Sequence, residues 1–230
     1  MDYRAFENKF KHFFGDEWQF IYHQNKQRLN LKNQRIATTK LATIIPAVFK
    51  IARQNSYNGM TLRDLSRETG YSTGGLYKYF NDKEDLFVMI HHALVAMTER
   101  VLISVQSDNP LTSIDHLLIY HLYMSERLKR WFYFVFMEAK HLNKPLLNRF
   151  VESEKLLEQA LITDINKAVS NHLCHCRSAF LVASVLKATL QEWYLKNHKY
   201  QAQNIDLTAY KNHLLTLRQQ LLPEAHHEQQ

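Results

Sequence analysis

Residues 61–86 read TLRDLSRETGYSTGGLYKYFNDKEDL, and this stretch decides the fold. Thr61 and Asp64 form a capping-box pattern, in which a hydroxyl and a carboxylate three residues later satisfy the first free amides of a helix. Gly70 predicts the end of that helix. Ser72 can cap a second helix that is predicted to run on through Phe80. Two short helices joined by a tight, glycine-containing turn predict a helix-turn-helix.

A helix-turn-helix meets DNA with its second helix in the major groove while the first braces against phosphates. The charge distribution agrees with such a partner. The net charge is +7, and residues 24–80 hold ten Lys and Arg against two acids, which is 10 − 2 = +8, so the remainder is close to neutral. A basic block in a balanced chain predicts a polyanion, either nucleic acid or an anionic membrane surface.

These residues resemble the tetracycline-repressor (TetR) family of transcriptional regulators, whose pattern is T-[LV]-R-D-[IL]-A-x-x-x-G-V-S-x-G-x-L-Y-x-[HY]-F-x-x-K-x-x-L. The matches in register are Thr61, Leu62, Arg63, Asp64, Leu65, Gly70, Ser72, Gly74, Leu76, Tyr77, Tyr79, Phe80, Lys83 and Leu86. The resemblance extends back through the helix of residues 44–57. Beyond about residue 90 it rests on length and helix pattern alone.

The resemblance implies a set of DNA contacts. Small residues at the start of the second helix let its backbone approach base edges and phosphates, and the aromatic and basic residues that follow contact the groove and the backbone. The implied set is Thr61, Arg63, Ser72, Thr73, Gly74, Gly75, Tyr77, Lys78, Tyr79 and Lys83. Within it, Thr61 and Arg63 touch the flanking backbone, and Lys83 anchors a phosphate.

Several positions depart from the family pattern. Ser56 stands where a glycine is common, and Gly75 where threonine or a bulkier residue is common. Consecutive glycines weaken a helix by about 1 kcal/mol each, so we expect a mobile second helix that becomes ordered on DNA. Pro46 lies inside the helix predicted over 36–56, which therefore either kinks there or begins near Ile45.

Scarce turn-formers, with 5 Gly and 4 Pro, favour long helices throughout. We predict an all-α chain, with a three-helix, helix-turn-helix DNA-binding domain followed by an all-helical ligand-binding and dimerisation domain. The predicted boundaries are 1–35 for an N-terminal extension, 36–82 for the DNA-binding domain, 83–222 for the regulatory domain and 223–230 for a disordered tail. Later helices are predicted near 83–106, 111–127, 129–141, 145–171, 178–198 and 206–221.

The extension combines aromatic and basic residues. An amphipathic helix ending at Gly15-Asp16 is predicted by the spacing of Tyr3, Phe6, Phe10 and Phe13. Further on, Arg28, Lys32 and Arg35 would share one helical face and could form a DNA arm. The alternative is an additional helix that only packs on the fold. We favour a mixture, with packed aromatics first and basic residues near DNA after them.

The resemblance also implies a homodimer on a two-fold operator, because two reading helices must lie about 34 Å apart, and a pocket for a small ligand. Candidate pocket residues are Tyr120, Tyr123, Met124, Trp131, Phe134, Met137 and Phe150. Candidate interface residues are Phe180, Leu190, Trp193, Tyr210, Leu214, Leu217 and Leu221. Ordinary core is the alternative for both sets. A loose likeness of residues 132–165 to fatty acid-responsive members makes a fatty acid or acyl-CoA the first candidate ligand.

Other classes of function find less support. Cys174 and Cys176, with His172 and His175, are too tightly clustered for four-ligand metal binding, so we expect neither metal nor cofactor. No phosphate-binding glycine loop or nucleophile motif predicts an enzyme. No signal peptide or apolar run long enough to span a membrane is evident, so a cytoplasmic location is expected. A repressor is the family default, with an activator or global regulator as the alternative.

Overall fold

The computed structural model describes residues 1–29 and 33–225, and their regular structure is helical. The helices are α1 (Tyr3–Phe14), α2 (Glu17–Asn25), α3 (Gln34–Asn55), α4 (Leu62–Thr69), α5 (Thr73–Leu76), α6 (Lys83–Ser104), α7 (Pro110–Arg127), α8 (Lys129–Glu138), α9 (Lys144–Ser170), α10 (Ala179–Leu195), α11 (Asn197–Ala202) and α12 (Leu207–Leu221). A 3₁₀ turn, Ala139–His141, follows α8. The all-α prediction is confirmed, including the helical assignment of the apolar run at 131–137.

The chain packs as two compact units. The N-terminal unit contains Arg4–Met97 together with Arg130–Val151. The C-terminal unit contains Met1–Tyr3, Thr98–Lys129 and the chain from Glu152 onward. This division crosses the predicted boundaries, because most of the extension and α8 from Arg130 onward pack in the same unit as the helix-turn-helix segment.

The extension begins as a packed helix. Phe6, Phe10 and Phe14 of α1 are buried at four-residue steps, with ring centroids 5.7 Å and 4.7 Å apart in succession. The prediction that Phe13 belongs to this face is wrong, because its side chain is 47% exposed. Gly15 ends the helix with φ +63, and Asp16 caps α2 by accepting from the amide of Trp18 at 2.7 Å.

The basic part of the extension is not one helix. α2 ends at Asn25, Arg28 lies in the following turn, and α3 begins only at Gln34. The prediction that Arg28 and Arg35 share a helical face is therefore wrong, and Lys32 lies outside the described residues. The buried Asn25 instead ties α2 to α6, since its amide donates to the carbonyls of Ile21 at 2.9 Å and Met89 at 3.1 Å.

α3 forms the central helix of the N-terminal unit. Asn33 caps it, and it continues through Pro46, so the alternative start near Ile45 is wrong. Its buried face consists of Ala37, Leu41, Ile44, Ile45, Ala47, Val48, Phe49, Ile51 and Ala52. The helix persists because this long apolar face is buried, which offsets the hydrogen bond that a proline removes.

α6 is long and apolar enough to cross a membrane, judged by length and composition alone: an 18-residue window has a mean hydropathy of 1.6, and 44% of it is buried within the protein. α6 is not a continuous apolar run, since it includes Lys83, Glu84, Asp85, Glu99 and Arg100, so the expectation that no segment spans a membrane stays a prediction. The buried side chains of α6 include Leu86, Phe87, Met89, Ile90, Ala93 and Met97. A helix at the centre of a protein core meets the same criterion.

In the C-terminal unit, α7, α10 and α12 pack on one another. The buried Arg218 of α12 makes a bidentate ion pair with Asp115 of α7, with Nε and Nη2 each 2.7 Å from a carboxylate oxygen. Residues 223–225 return to the loop before α10, where the Ala225 amide donates to the Leu173 carbonyl at 3.0 Å. Residues 223–225 of the predicted disordered tail are therefore hydrogen-bonded, and residues 226–230 lie outside the described part.

Candidate nucleic-acid interface

The first helix of the motif, α4, starts with the predicted capping box. Thr61 Oγ1 accepts from the Asp64 amide at 3.2 Å, and Asp64 Oδ2 accepts from the Thr61 amide at 3.0 Å and from its hydroxyl at 2.7 Å. Arg67 pairs with the other carboxylate oxygen at 2.5 Å. The Thr61 hydrogen bonds, followed by the charge of Arg67, lower the pKa of Asp64. The carboxylate therefore stays ionised and holds the start of the helix.

The turn between the helices is set by local hydrogen bonds. Gly70 adopts φ +73 and donates to the Ser66 carbonyl at 2.9 Å, which ends α4 as predicted. The Ser66 hydroxyl donates to the Tyr71 carbonyl at 2.6 Å, and Ser72 Oγ accepts from the Gly75 amide at 3.1 Å. These contacts fix the direction in which α5 leaves the turn.

α5 is shorter than predicted. It covers only Thr73–Leu76. The chain continues through Tyr79 as turns, and the Tyr79 amide donates to the Leu76 carbonyl at 2.9 Å. The prediction that Phe80 lies on this helix is wrong, although its side chain is buried. The two adjacent glycines explain the short helix, because glycine is a poor helix former.

The predicted DNA contacts divide by exposure. Exposed at the surface are Thr61, Arg63, Ser72, Gly74, Tyr77 and Lys78, while Thr73 and Gly75 are half-buried. Tyr77 is 46% exposed, whereas Tyr79 is only 5% exposed. Burial, followed by the proximity of Tyr71, raises the pKa of Tyr79. Its assignment as a surface contact is wrong, because its ring packs in the core.

Lys83 is engaged inside the unit. Its Nζ donates to the carbonyl of Asn58 at 2.6 Å, in the loop that precedes α4. A phosphate would have to share this ammonium with the carbonyl. Lys83 therefore ties the start of α6 to the helix-turn-helix segment in this structure.

The acidic residues of the basic block are both paired. Asp64 pairs with Arg67, and Glu68 pairs with Lys50 at 2.7 Å. Basic residues at the surface of the same segment are Lys26, Arg28, Arg35, Lys50, Arg53, Arg63, Arg67 and Lys78. Among the arm candidates, Arg28 is 43% exposed and lies 3.6 Å from Asp85. The segment thus presents more positive than negative charge, which suits phosphate binding.

The pocket candidates lie in both units. Trp131 and Phe134 pack in an aromatic cluster of the N-terminal unit. The ring centroid of Phe134 lies 5.2 Å from that of Phe49, 5.1 Å from that of Tyr57 and 5.8 Å from that of Phe87. Met137 and Phe150 are half-buried in the same unit. In the C-terminal unit are Tyr120, Tyr123 and Met124, all on α7. Trp131 and Phe134 are therefore packed core side chains here.

Most interface candidates pack within the chain. Leu190, Trp193, Tyr210 and Leu214 are at most 3% exposed, and the Trp193 and Tyr210 rings lie 4.7 Å apart. Their assignment to a surface between copies is therefore wrong, and Leu217 and Leu221 are half-buried.

Three large apolar side chains of α10 remain exposed: Phe180 at 57%, Leu181 at 62% and Val185 at 44%. We call them the α10 patch. The sequence did not predict that Leu181 and Val185 are exposed. The signal was the apolar composition of α10 on several sides, which one core cannot bury.

The Cys-His segment offers no metal site: among residues 1–29 and 33–225, no three His, Cys, Asp or Glu side chains are grouped to hold a metal ion. Cys174 is buried, and this burial raises the pKa of its thiol.

The capped helix, the left-handed glycine turn and the short second helix define a helix-turn-helix protein. Residues 44–90 match the family model described as "Bacterial regulatory proteins, tetR family". This segment of the chain is therefore similar to the DNA-binding region of the tetR family. No curated protein sequence matches the chain.

Solved regulators share the fold. The ketosteroid transcriptional regulator KstR2 of Mycobacterium tuberculosis matches with a TM-score of 0.67 and 14% identity, over 86% of this chain and 100% of its own. FadR from Bacillus subtilis, in complex with stearoyl-CoA, matches with a TM-score of 0.60 and 19% identity, over 77% of this chain and 96% of its own. A regulator from Saccharomonospora viridis, in complex with choline, matches with a TM-score of 0.61 and 14% identity, over 80% of this chain and 98% of its own.

Proposed function

We propose that the protein is a ligand-responsive, sequence-specific regulator that binds a palindromic operator as a homodimer. The observation that carries the proposal is the exposure of Arg63, Tyr77 and Lys78 around a capped helix-turn-helix whose own acids are paired. We favour a repressor that a small hydrophobic ligand releases from DNA. An activator or global regulator, with a different ligand or none, is the alternative.

In the proposed complex, α5 and the turn after it enter the major groove. The backbone at Ser72, Thr73 and Gly74 approaches base edges, since two of these three residues are exposed and none carries a bulky side chain. Tyr77 and Lys78 reach the groove and its phosphates, and Arg63 holds the flanking backbone. Arg28 and Arg35, both exposed, supply further phosphate contacts from the extension.

The homodimer is proposed to form through the α10 patch. Family members are typically dimers, and Phe180, Leu181 and Val185 are apolar side chains on one helix that are left outside the core. Burying them against a second copy would remove their apolar surface from water, which favours association. The core residues of α10 and α12 would then act indirectly, by holding the patch in place.

The ligand is proposed to be a fatty acid or acyl-CoA. The regulator of B. subtilis that shares this fold holds stearoyl-CoA, and the one from S. viridis holds choline. Of the pocket candidates, Tyr120, Met137 and Phe150 are half-buried, whereas Tyr123, Met124, Trp131 and Phe134 are buried and would have to move to line a pocket. We further propose that the protein has no enzymatic activity and acts in the cytoplasm.

Selection of DNA from a randomised duplex pool tests the DNA-binding proposal. The native protein is expected to enrich a palindromic site, which the Tyr77→Ala/Lys78→Ala variant binds weakly. The matched control is Tyr133→Ala/Lys155→Ala, which removes an exposed tyrosine and an exposed lysine from α8 and α9. Equal binding by all three proteins would overturn the proposed reading surface.

Titration of the native protein–operator complex with palmitoyl-CoA, followed by fluorescence anisotropy, tests the ligand. Free CoA and choline serve as controls for the headgroup and for a small cation. Release by palmitoyl-CoA alone is expected. Retention of DNA at saturating palmitoyl-CoA would reject the acyl ligand, and tighter DNA binding would favour a role opposite to ligand-released repression.

A further inference from the structure

We propose that Glu138, at the end of α8, is a positioning residue for the helix-turn-helix. Its carboxylate holds a strained joint at Ser56 and Tyr57 in the arrangement that binds DNA. The inference rests on the proposed DNA-binding function and assigns a control point to it. All the residues concerned belong to the N-terminal unit.

The joint is strained at Ser56. This residue follows α3 and has φ 58 and ψ 154. That region of backbone conformation is essentially restricted to glycine, and other residues persist there only where the surroundings hold them. The Ser56 hydroxyl gives limited help, since it only accepts a 3.4 Å hydrogen bond from the Gly59 amide.

Glu138 holds the next residue. Its Oε2 accepts from the Tyr57 amide at 3.2 Å, and the Glu138 side chain is 10% exposed. His141 also lies near this carboxylate, but its Nε2 is 3.9 Å away, too far for a hydrogen bond. The peptide between the strained residue and Tyr57 is thus fixed by one side chain of α8.

α8 also packs against the Tyr57 side chain. Phe134, one turn before Glu138 on α8, packs edge-on against the Tyr57 ring with centroids 5.1 Å apart. Residues four apart share a helix face, so α8 presents a ring and a carboxylate together. Tyr57 is 4% exposed and leaves little room for another arrangement while α8 stays in place.

The joint leads directly into the DNA-binding motif. Tyr57 is followed by Asn58, whose carbonyl accepts from Lys83, and by Met60, whose amide donates to the Tyr57 carbonyl at 3.1 Å. Thr61, the cap of α4, comes next. A change at the joint must therefore change where α4 begins, and α4 carries the turn that orients α5.

Glu138 lies outside residues 44–90, the segment that matches the family model. The arrangement of the motif consequently depends on a helix that is distant in sequence. A shift of α8 that separates Glu138 from Tyr57 would let Ser56 relax and lower the population competent for DNA. Apparent affinity falls in proportion to that population.

The test compares Glu138→Ala with Glu138→Gln on the operator selected by the native protein. Glu138→Ala is expected to weaken operator binding about tenfold, as the loss of one buried hydrogen bond would. Glu138→Gln keeps an acceptor and is expected to retain most of the affinity. Hydrogen exchange of the Tyr57 amide should quicken in Glu138→Ala and much less in Glu138→Gln.

A rescue separates positioning from loss of folding. Glycine adopts the Ser56 conformation without strain, so Ser56→Gly in the Glu138→Ala background is expected to restore most of the affinity. The control is Glu152→Ala, which removes a carboxylate that accepts from Lys155 Nζ at 2.7 Å on α9 in the C-terminal unit. Its operator affinity should stay near that of the native protein.

Native-like affinity of Glu138→Ala, with its Tyr57 amide exchanging faster, would overturn the inference alone. So would a failure of Ser56→Gly to rescue binding. If Glu138→Ala does not fold, a loss of affinity in the folded Glu138→Gln as large as in a contact variant would also count against positioning. Absence of sequence-specific binding by the native protein would instead overturn the proposed function and, with it, the inference.

Discussion

The helix-turn-helix and the α10–α12 pair are held together in different ways. In the motif, contacts within a few residues define each turn, as in the Thr61–Asp64 box and the Gly70 cap. In the pair, side chains far apart in sequence pack together, as Trp193 does on Tyr210. The motif leaves basic and hydroxyl groups outside, whereas α10 leaves apolar ones outside.

This difference indicates which partner each region suits. A locally capped motif with outward cations can meet a phosphate backbone through its exposed side chains. An exposed apolar patch on a helix, by contrast, is stabilised when another protein surface covers it. The two regions therefore should respond to different substitutions, and the following experiments are ordered by the size of the expected effect.

Trp193→Ala should destabilise the chain most. Trp193 is 3% exposed, and truncating a buried tryptophan costs about 3–5 kcal/mol. Urea unfolding followed by far-UV circular dichroism measures the loss. Phe180→Ala, at an exposed position of the same helix, should stay within about 0.5 kcal/mol of the native protein when unfolded as a monomer. A stable Trp193→Ala protein that no longer dimerises would place Trp193 at the interface instead.

Leu181→Glu should break the proposed homodimer with little effect on the fold of each chain. A carboxylate buried without a partner at the centre of an interface is expected to weaken dimerisation by about 100-fold or more. Size-exclusion chromatography with light scattering measures the mass. Ile103→Glu, at a 77% exposed position of α6, is the matched control. A Leu181→Glu dimer as tight as the native one would exclude the α10 patch.

Arg63→Ala should weaken DNA binding roughly equally for operator and unrelated DNA. Loss of one phosphate contact is expected to reduce the slope of log affinity against log salt by about 1. Titrations at several salt concentrations provide the slope. Lys155→Ala in α9 should leave it unchanged, and Tyr79→Phe should also have no effect because the ring is buried. An unchanged slope for Arg63→Ala would show that Arg63 makes no phosphate contact.

Thr61→Ala should lower the stability of the N-terminal unit by about 1 kcal/mol, because it removes the hydroxyl of the capping box. Thr61→Ser keeps that hydroxyl and should be close to the native protein. Urea unfolding measured on both variants under one set of conditions gives the difference. Equal losses in both would mean that the methyl group, rather than the cap, matters.

Asp64 should give a small pH dependence. Its folded pKa lies below its ordinary value, so its stabilising effect is fully present above the pKa of the unfolded chain and is lost as pH falls through the folded pKa. The difference in unfolding free energy between the native protein and Asp64→Asn should therefore shrink below about pH 4. A difference that does not change with acid would show that the carboxylate charge contributes nothing.

How far the sequence predicts the structure also separates the two regions. The α4 cap, the Gly70 turn and the Ser72 cap were predicted because each depends on residues at most four apart. The length of α5 was not predicted, because its two glycines favour the helix so weakly that tertiary contacts decide where it ends. Tyr79 was placed at the surface by resemblance, although burial in the core decides its position.

In the second half, periodicity located the helices but not their partners. α10 is apolar on several faces, so its pattern could not tell Trp193, which is buried, from Leu181, which is 62% exposed. In the same way, nothing near Glu138 in the sequence indicates that it accepts from the amide of Tyr57, 81 residues earlier.

By itself, the sequence determined the all-helical class, the helix-turn-helix and its basic character, because caps, turns and charge are local properties. Only the tertiary structure decided which aromatic side chains fill the core, which face of α10 remains exposed and which carboxylate restrains Ser56 and Tyr57. Those outcomes depend on long-range packing, where burial of one face against a distant helix selects among patterns that are equivalent along the chain.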